Sequence, residues 1–368
     1  MANGLWHTKM VSDSTPIVVR EMRETDTVAW SDFASRRPEA NLYHTLQWRD
    51  LVIEVFGHQP VYLLAELEGN VCGALPMFLV KARLLGSKLI SMPYDIGSGG
   101  ALADDAATER LLVENAMALA RELGVDYLEL RYGSDRPALH SLRLQRSEPV
   151  LISETELDSE ASVRARVKDD SHRSVRKAER RGVTVREGSN LEDYRAFYDV
   201  YLQVFRDFGT PPYGGGYFPA LWRRLGPSGA ARLLLAEVNG RCVGGLLLFC
   251  WGKNLVSKFA ACLPEAVPLR AYAALSWRAI QFGLEHGYRR LSWGTSGRDQ
   301  TGLVEFKERW GAQTRPAVFY DLPVLGRAPM IERYWSCGGP YLWMRRAWRL
   351  APLWATRIGG ETLNRWFC

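Results

Sequence analysis

No stretch of this chain is apolar for long. The longest apolar run, Val243 to Trp251, falls far short of the roughly 20 residues a membrane-spanning helix needs. The start of the chain has Asp13, Ser14, Thr15 and Pro16 where the apolar core of a secretion signal would have to be, so none is expected. Cysteine pairing is equally scarce. Cys72, Cys242, Cys250, Cys262, Cys337 and Cys368 form no CxxC pair and no metal-ligand spacing with histidine. Thiols so scattered suit packing in a reducing cytoplasm, and no metal site is expected. There is no GxGxxG after a strand, no Walker lysine loop, no HExxH and no GxSxG elbow, which argues against oxidoreductases and kinases. A Ser-His-Asp or Cys-His pattern is missing too. Gly214-Gly215-Gly216 is a lone glycine run, read as a loop before a helix over Tyr217 to Leu225.

What is present is the balance of a globular protein: 47% hydrophobic and 24% charged residues over 368 positions, enough for two domains. The formal net charge of +6 favours an anionic partner.

One segment occurs twice. Leu63 to Leu75 reads LLAELEGNVCGAL, Leu234 to Leu246 reads LLAEVNGRCVGGL, and they agree at seven of thirteen positions. Both pattern as strand, tight turn, strand, with turns at Glu68-Gly69 and Asn239-Gly240. Gly73 and Gly244 inside the returning strands suggest a bulge or a close backbone approach. A second match follows in the same order: Arg121 to Leu130 and Leu284 to Trp293 each close a helix, turn at glycine (Gly124, Gly287) and enter a strand. Two matches in one order indicate a duplicated α/β module.

Between the copies, residues 162–186 hold nine Lys or Arg against three Asp or Glu. His172 to Arg181 patterns as a helix stopped by Gly182. It reads equally as a solvated helix bridging two domains or as an anion-binding element. The tail, Trp335 to Cys368, holds five of the thirteen tryptophans, interleaved with Arg345, Arg346, Arg349, Arg357 and Arg365. That mixture suits a membrane interface or a docking surface. Pro352 and Gly359-Gly360 interrupt a long amphipathic helix and favour a tail packed on the protein's own core, with arginines at its wet edge.

The densest segment is Leu291 to Gly311, LSWGTSGRDQTGLVEFKERWG. A strand, Leu291 to Trp293, leads to a loop, Gly294 to Gly302, and a short helix, Leu303 to Trp310. Leu303, Phe306 and Trp310 share one apolar helix face. Lys307 borders it, placed to have its amine partly desolvated and aimed at whatever fills the loop. It could equally snorkel beside Trp310. The loop ends at a helix N-terminus, whose free N–H groups attract an anion or a developing oxyanion.

Gly294-x-Ser296-Gly297, Thr301-Gly302 and Phe306-Lys307-x-x-Trp310-Gly311 together resemble the closing motif of the FemAB-related acyltransferases, most nearly the subgroup associated with exosortase and PEP-CTERM exopolysaccharide systems. The resemblance runs along nearly the whole chain, through Phe56-Gly57-His58-x-Pro60, Ser91-Met92-Pro93-Tyr94, Arg176-Lys177-Ala178-Glu179-x-x-Gly182, Gly209-Thr210-Pro211 and Trp348-Arg349-Leu350-Ala351-Pro352-Leu353. It implies an α/β (α+β) fold of two tandem GNAT-like domains, mixed sheets with flanking helices, and a short C-terminal helical tail. The expected division is 1–155, 156–330 with a basic linker helix at 162–186, and 331–368.

The resemblance further implies an acyltransferase that moves an acyl or aminoacyl group to an amine of a cell-envelope or exopolysaccharide precursor. The donor is an aminoacyl-tRNA, an acyl-CoA or an acyl carrier protein; the chain lacks a Gln/Arg-x-x-Gly-x-Gly loop of the CoA-binding type. Lys307 matches the lysine taken to sit at the reaction centre. On this reading Lys307 stabilises charge at the acyl carbonyl or the leaving oxygen, loop amides near Ser296 and Gly297 assist, and Arg298 in the same loop binds substrate. Arg173, Arg176 and Lys177 hold the anionic donor or a glycan, and Tyr94, Asp95 and Tyr213 line the acceptor cleft. No bound cofactor and no DNA partner are expected. The expected location is the cytoplasm, with peripheral contact at the inner membrane through the tail. The competing reading is a non-catalytic module that binds an anionic glycan or RNA through its basic segment.

Overall fold

The computed structural model describes residues 6–9, 16–82, 86–94, 99–326 and 339–364. In chain order the first elements are Trp6–Lys9 (β1), Ile17–Glu21 (β2), Thr27–Ser35 (α1), Leu46–Phe56 (α2), Gln59–Leu67 (β3), Asn70–Ala82 (β4), Gly86–Ile90 (β5), Leu102–Ala103 (β6), Ala106–Glu122 (α3), Tyr127–Tyr132 (β7) and Gln145–Glu156 (β8). Then come Glu160–Arg166 (α4), Asp169–Arg180 (α5), Thr184–Gly188 (β9), Leu191–Phe208 (α6), Tyr217–Leu225 (α7), Ala231–Val238 (β10), Arg241–Trp251 (β11), Asn254–Cys262 (β12), Ala271–Glu285 (α8), Arg290–Gly297 (β13), Thr301–Glu308 (α9), Gln313–Pro323 (β14), Gly339–Leu350 (α10) and Leu353–Asn364 (α11). None of these helices is long and apolar enough to cross a membrane.

The duplication is real and reaches fine detail. Each copy runs strand, helix, helix, hairpin, strand, helix, strand: β2 to β7 in one, with the two-residue β6 added, and β9 to β13 in the other. The strand orders correspond, β2-β3-β4-β5-β7 and β9-β10-β11-β12-β13. In both, the last pair is parallel. Both hairpin turns place two successive residues in the left-handed region, Glu68-Gly69 and Asn239-Gly240, the two-residue turn whose twist matches paired strands. Each returning strand then bulges. The register slips between Ala65 and Glu66 in one hairpin and between Ala236 and Glu237 in the other. The bulged Cys72 and Val243 each offer a carbonyl to a later backbone N–H, Asp104 and Leu263, both at 2.9 Å. Beyond the bulge only glycine fits: a Cβ on Gly73 would lie 2.8 Å from Leu112 and Thr108, and one on Gly244 would lie 2.6 Å from Cys262 Sγ. Gly124 and Gly287 end α3 and α8 in matching left-handed caps.

The units do not divide at 155/156 and 330/331 as expected. Residues up to Val150 form the first unit and Leu151 to Arg315 the second; the chain then returns to the first unit from Pro316. The reason is strand pairing: Val318 to Pro323 of β14 run antiparallel to β7, while β8 neighbours β13. The described tail residues, 339–364, belong to the second unit.

In the first unit, α3 packs on one sheet face through Leu112, Ala116 and Leu119 against Leu63, Leu75 and Leu128. In the second, α5 and α8 build one core with Leu234, Leu246 and Leu291. Helices α6 and α7 build an aromatic cluster in the same unit, Phe197, Tyr201 and Phe218 around Phe259. The basic helix α5 is thus no bridging linker. Its Val175 and Ala178 belong to the second unit's core, and its other face is solvated.

Candidate active site

The candidate site lies where strand β13 meets helix α9. β13 runs on to Gly297, so the first part of the loop expected from Gly294 onward is strand, and its end, from Thr301, is already helix. Gly294 adopts a left-handed φ of 69°, which turns the following carbonyls. Helix α9 lies against them with Lys307 as its sole buried residue. Leu303, expected on the apolar face, is 41% exposed, whereas Lys307 is 4% exposed. The lysine does not snorkel. Its Nζ donates to Gly294 O at 3.1 Å, Thr295 O at 2.8 Å and Ser296 Oγ at 2.8 Å. An ammonium has three donors, and all three are used. Burial lowers the amine from its ordinary value to about 8; the three oxygen acceptors favour the ammonium and oppose that shift.

The rest of the motif holds this arrangement rigid. Trp310 is 2% exposed and packs on Trp293, ring centroids 6.3 Å apart. Thr155 Oγ1 receives the Trp293 indole N–H and donates to Trp310 O. Gly311 has a left-handed φ of 75°, and a Cβ there would lie 3.0 Å from Arg166 Cβ, so the Trp-Gly pair is a packing requirement. Arg309 O accepts from Lys168 N–H and Ser171 Oγ, tying the end of α9 to the start of α5.

Lys307, Ser296 and Gly297 are therefore brought together. The Gly297 amide is not free to assist, since its N–H donates to Gln300 Oε1 at 2.9 Å, while Gln300 N–H returns to Gly297 O at 3.0 Å. Gln300, which the sequence did not single out, closes the turn; Arg298 sits exposed in it. Arg173 and Arg176 are exposed on α5 and Lys177 is half-buried, and no hydrogen bond or ion pair joins them to the Lys307 cage. Tyr213 stacks on Tyr217 at 4.6 Å and meets the Phe259 ring edge-on. Tyr94 lies in the first unit, buried, with its hydroxyl 2.6 Å from His58 Nε2 and its ring 3.7 Å from that of Phe56. Tyr94 and Met92 both have positive φ without being glycine, a local strain of the kind functional segments hold. Asp95 lies outside the described residues.

Sequence reading also missed a buried charged face in the first unit. On β7, Leu128 and Leu130 join the α3 core, and Glu129 and Arg131 alternate with them. These two are 1% and 2% exposed and form an ion pair at 2.6 Å. Lys88 and Asp321 are buried on the flanking strands. A cavity of about 650 Å³ in the same unit is lined by residues including Asp32, Arg36, Arg37 and Asp104; none of the expected site residues borders it. Among the described residues no cluster of side chains could hold a metal.

Residues 165–321 match the model of the acetyltransferase (GNAT) domain. No curated protein matches the chain. Among solved structures it resembles FemX, with a TM-score of 0.68 at 15% identity over 82% of this chain and 96% of that one. It also resembles a tandem GNAT protein from the clavulanic acid biosynthesis pathway, TM-score 0.55 at 12% identity, covering 85% of this chain and 100% of that one. The structure of L-PGS from Bacillus licheniformis gives a TM-score of 0.55 at 13% identity, covering 79% and 95%. The chain thus has the fold of FemX and of a tandem GNAT protein, and the Lys307 cage lies within the residues that match the GNAT acetyltransferase model.

Proposed function

We propose that the chain transfers an acyl or aminoacyl group from an ester or thioester donor to an amine of a cell-envelope or exopolysaccharide precursor. The observation that carries this reading is the buried Lys307 ammonium held on Ser296 at the end of β13. Such a transfer needs no enzyme-bound nucleophile. The neutral acceptor amine attacks the acyl carbon, the C–N bond forms, and the tetrahedral oxyanion collapses with loss of the donor's alcohol or thiol. The amine's proton leaves with that group. What the site must supply is alignment and stabilisation of the oxyanion.

The geometry alters the role first expected of the lysine. All three Lys307 N–H groups are engaged, so the free donor is the Ser296 hydroxyl hydrogen. Ser296 Oγ accepts from Nζ, which polarises its O–H toward a developing negative charge. Ser296 is then the catalytic group, and Lys307 positions and charges it. Ser296 is 2% exposed, so the donor's acyl group enters as the turn closed by Gly297 and Gln300 opens. Arg173, Arg176 and Lys177 supply the positive face of α5 for a polyanionic donor: aminoacyl-tRNA, acyl-CoA or acyl carrier protein. Tyr213, in the same unit as Lys307, is the aromatic contact proposed for the acceptor. A cytoplasmic location, with contact at the inner membrane through the tail, fits donors made in the cytoplasm.

A binding module without catalysis is the weaker reading. It would leave Lys307 exposed or closed by a carboxylate, and Lys307 is buried on three neutral oxygens. The test is incubation of the purified protein with each donor class and extracted cell-envelope amines. The expected result is a mass gain equal to the acyl group with one donor class; no gain with any of the three would sink the proposal.

A further inference from the structure

The last helix, α11, is docked the opposite way round from a usual amphipathic helix. α11 turns a small, polar face inward. Thr356, Gly360 and Asn364, one helical turn apart, are its buried residues. Asn364 Nδ2 donates to Pro211 O at 3.2 Å and Pro212 O at 2.6 Å. Gly360 lies so close to the same loop that a Cβ on it would be 2.2 Å from Pro212 O. The Gly359-Gly360 pair is thus a contact surface inside a continuous helix, not the break expected of it. α10 is tied by Arg345, which donates to Phe208 O.

The apolar side chains point away from these contacts. Trp354 and Ile358 each lie two residues from Thr356, on the opposite side of the helix. They are 68% and 61% exposed, Leu350 is 87% exposed and Leu353 37%. Elsewhere among the described residues, large exposed apolar side chains occur singly, one to an element, as on any soluble protein. Four within nine residues form a patch that needs an occupant. Its rim is cationic: Arg346 and Arg349 are exposed, and no ion pair among the described residues engages either. Glu361, the one acid in 339–364, lies beside Gly214 on the docked flank.

We infer that this outward face is a docking surface for an anionic phospholipid bilayer. Leu350, Leu353, Trp354 and Ile358 enter the headgroup–acyl boundary while Arg346 and Arg349 meet lipid phosphates. A tryptophan-led apolar ridge bordered by arginine is the composition that an anionic interface selects. A protein partner would leave those arginines needing acids of its own. The inference is independent of the acyl-transfer reading, because binding is measured without turnover.

The experiment is flotation of the full chain with vesicles of phosphatidylcholine, alone or containing phosphatidylglycerol. Binding is expected only with phosphatidylglycerol, weakening as salt rises. Arg346→Ala with Arg349→Ala should weaken partition about 30-fold, from roughly 1 kcal/mol per basic residue near such a surface. Trp354→Ser with Ile358→Ser should weaken it by about tenfold or more. Both pairs face solvent, so unchanged melting curves separate lost docking from lost folding. Failure of the unaltered chain to float with phosphatidylglycerol vesicles overturns the inference, as does equal flotation of the Trp354/Ile358 variant. A concentration-dependent dimer abolished by that variant, without vesicle binding, would assign the face to a second copy instead.

Discussion

If Lys307 acts through Ser296, the transfer rate must follow the charge on a buried amine. With its amine near pH 8, the lysine is about nine-tenths protonated at pH 7 and about one-tenth at pH 9. The rate should therefore fall along an alkaline limb centred near pH 8, more than two units below the ordinary lysine range. Ser296→Ala removes the oxyanion donor and should lower kcat by about 10²–10³, the cost of losing one such group. Lys307→Met should have an effect of similar order and abolish the limb. The double variant should be little worse than either single one, because the two residues act as a unit. Stability carries an independent sign. The folded amine releases its proton at lower pH than the unfolded one, so Lys307 weakens the fold by about 3 kcal/mol below pH 8, before its hydrogen bonds are counted. That penalty is relieved as pH rises from about 8 to 10.5. Denaturation midpoints at pH 7 and pH 10 for the unaltered chain and Lys307→Met would isolate this difference. A folded Lys307→Met protein with an undiminished rate, or one that keeps the limb near pH 8, would refute the reasoning.

Four further expectations rest on packing and charge. Trp310→Ala should destabilise the second unit by about 3–5 kcal/mol, the usual cost of emptying a buried tryptophan site; a melting temperature within a degree of the unaltered chain would contradict it. Gly311→Ala forces a Cβ into a left-handed conformation against Arg166, and should cost more than about 1 kcal/mol in denaturant titration. Arg131→Ala leaves Glu129 charged and buried without its closest partner, for a loss of about 3–5 kcal/mol by the same measurement. Donor affinity should weaken steeply from about 50 to about 200 mM salt, and less steeply after Arg173→Ala with Arg176→Ala; a salt slope unchanged by those substitutions would remove α5 from donor capture.

The duplicated hairpins were legible because their signals are local. Asn239-Gly240 and Glu68-Gly69 dictate a turn, and a glycine after a bulge reports its own crowding. The glycine caps of α3 and α8 are legible for the same reason. The setting of Lys307 was only half legible. Its position in the motif pointed to chemistry, but its partners are the carbonyls of Gly294 and Thr295, which leave no mark in side-chain patterns. Helical periodicity accordingly put Leu303 on the buried face. The alternation of β7 read as an ordinary strand, and nothing in it announced that Glu129 and Arg131 are buried. The Gly359-Gly360 pair misled because glycine marks a break when alone in solvent and a close approach when another backbone lies against it. Which of the two applies depends on Pro212, some 150 residues earlier.

The return of β14 to the first unit has a consequence for how the protein can be made. The edge of β7 is satisfied by residues 318–323, which leave the ribosome after the whole second copy. Until then the nascent first module presents an open strand edge, a template for pairing with any other chain. Its completion waits on a contact separated by almost two hundred residues, a slow closure that favours intermediates. A fragment cut at the sequence repeat would inherit that open edge permanently. The two copies descend from one module, yet the first can no longer complete its sheet without a strand made after the second.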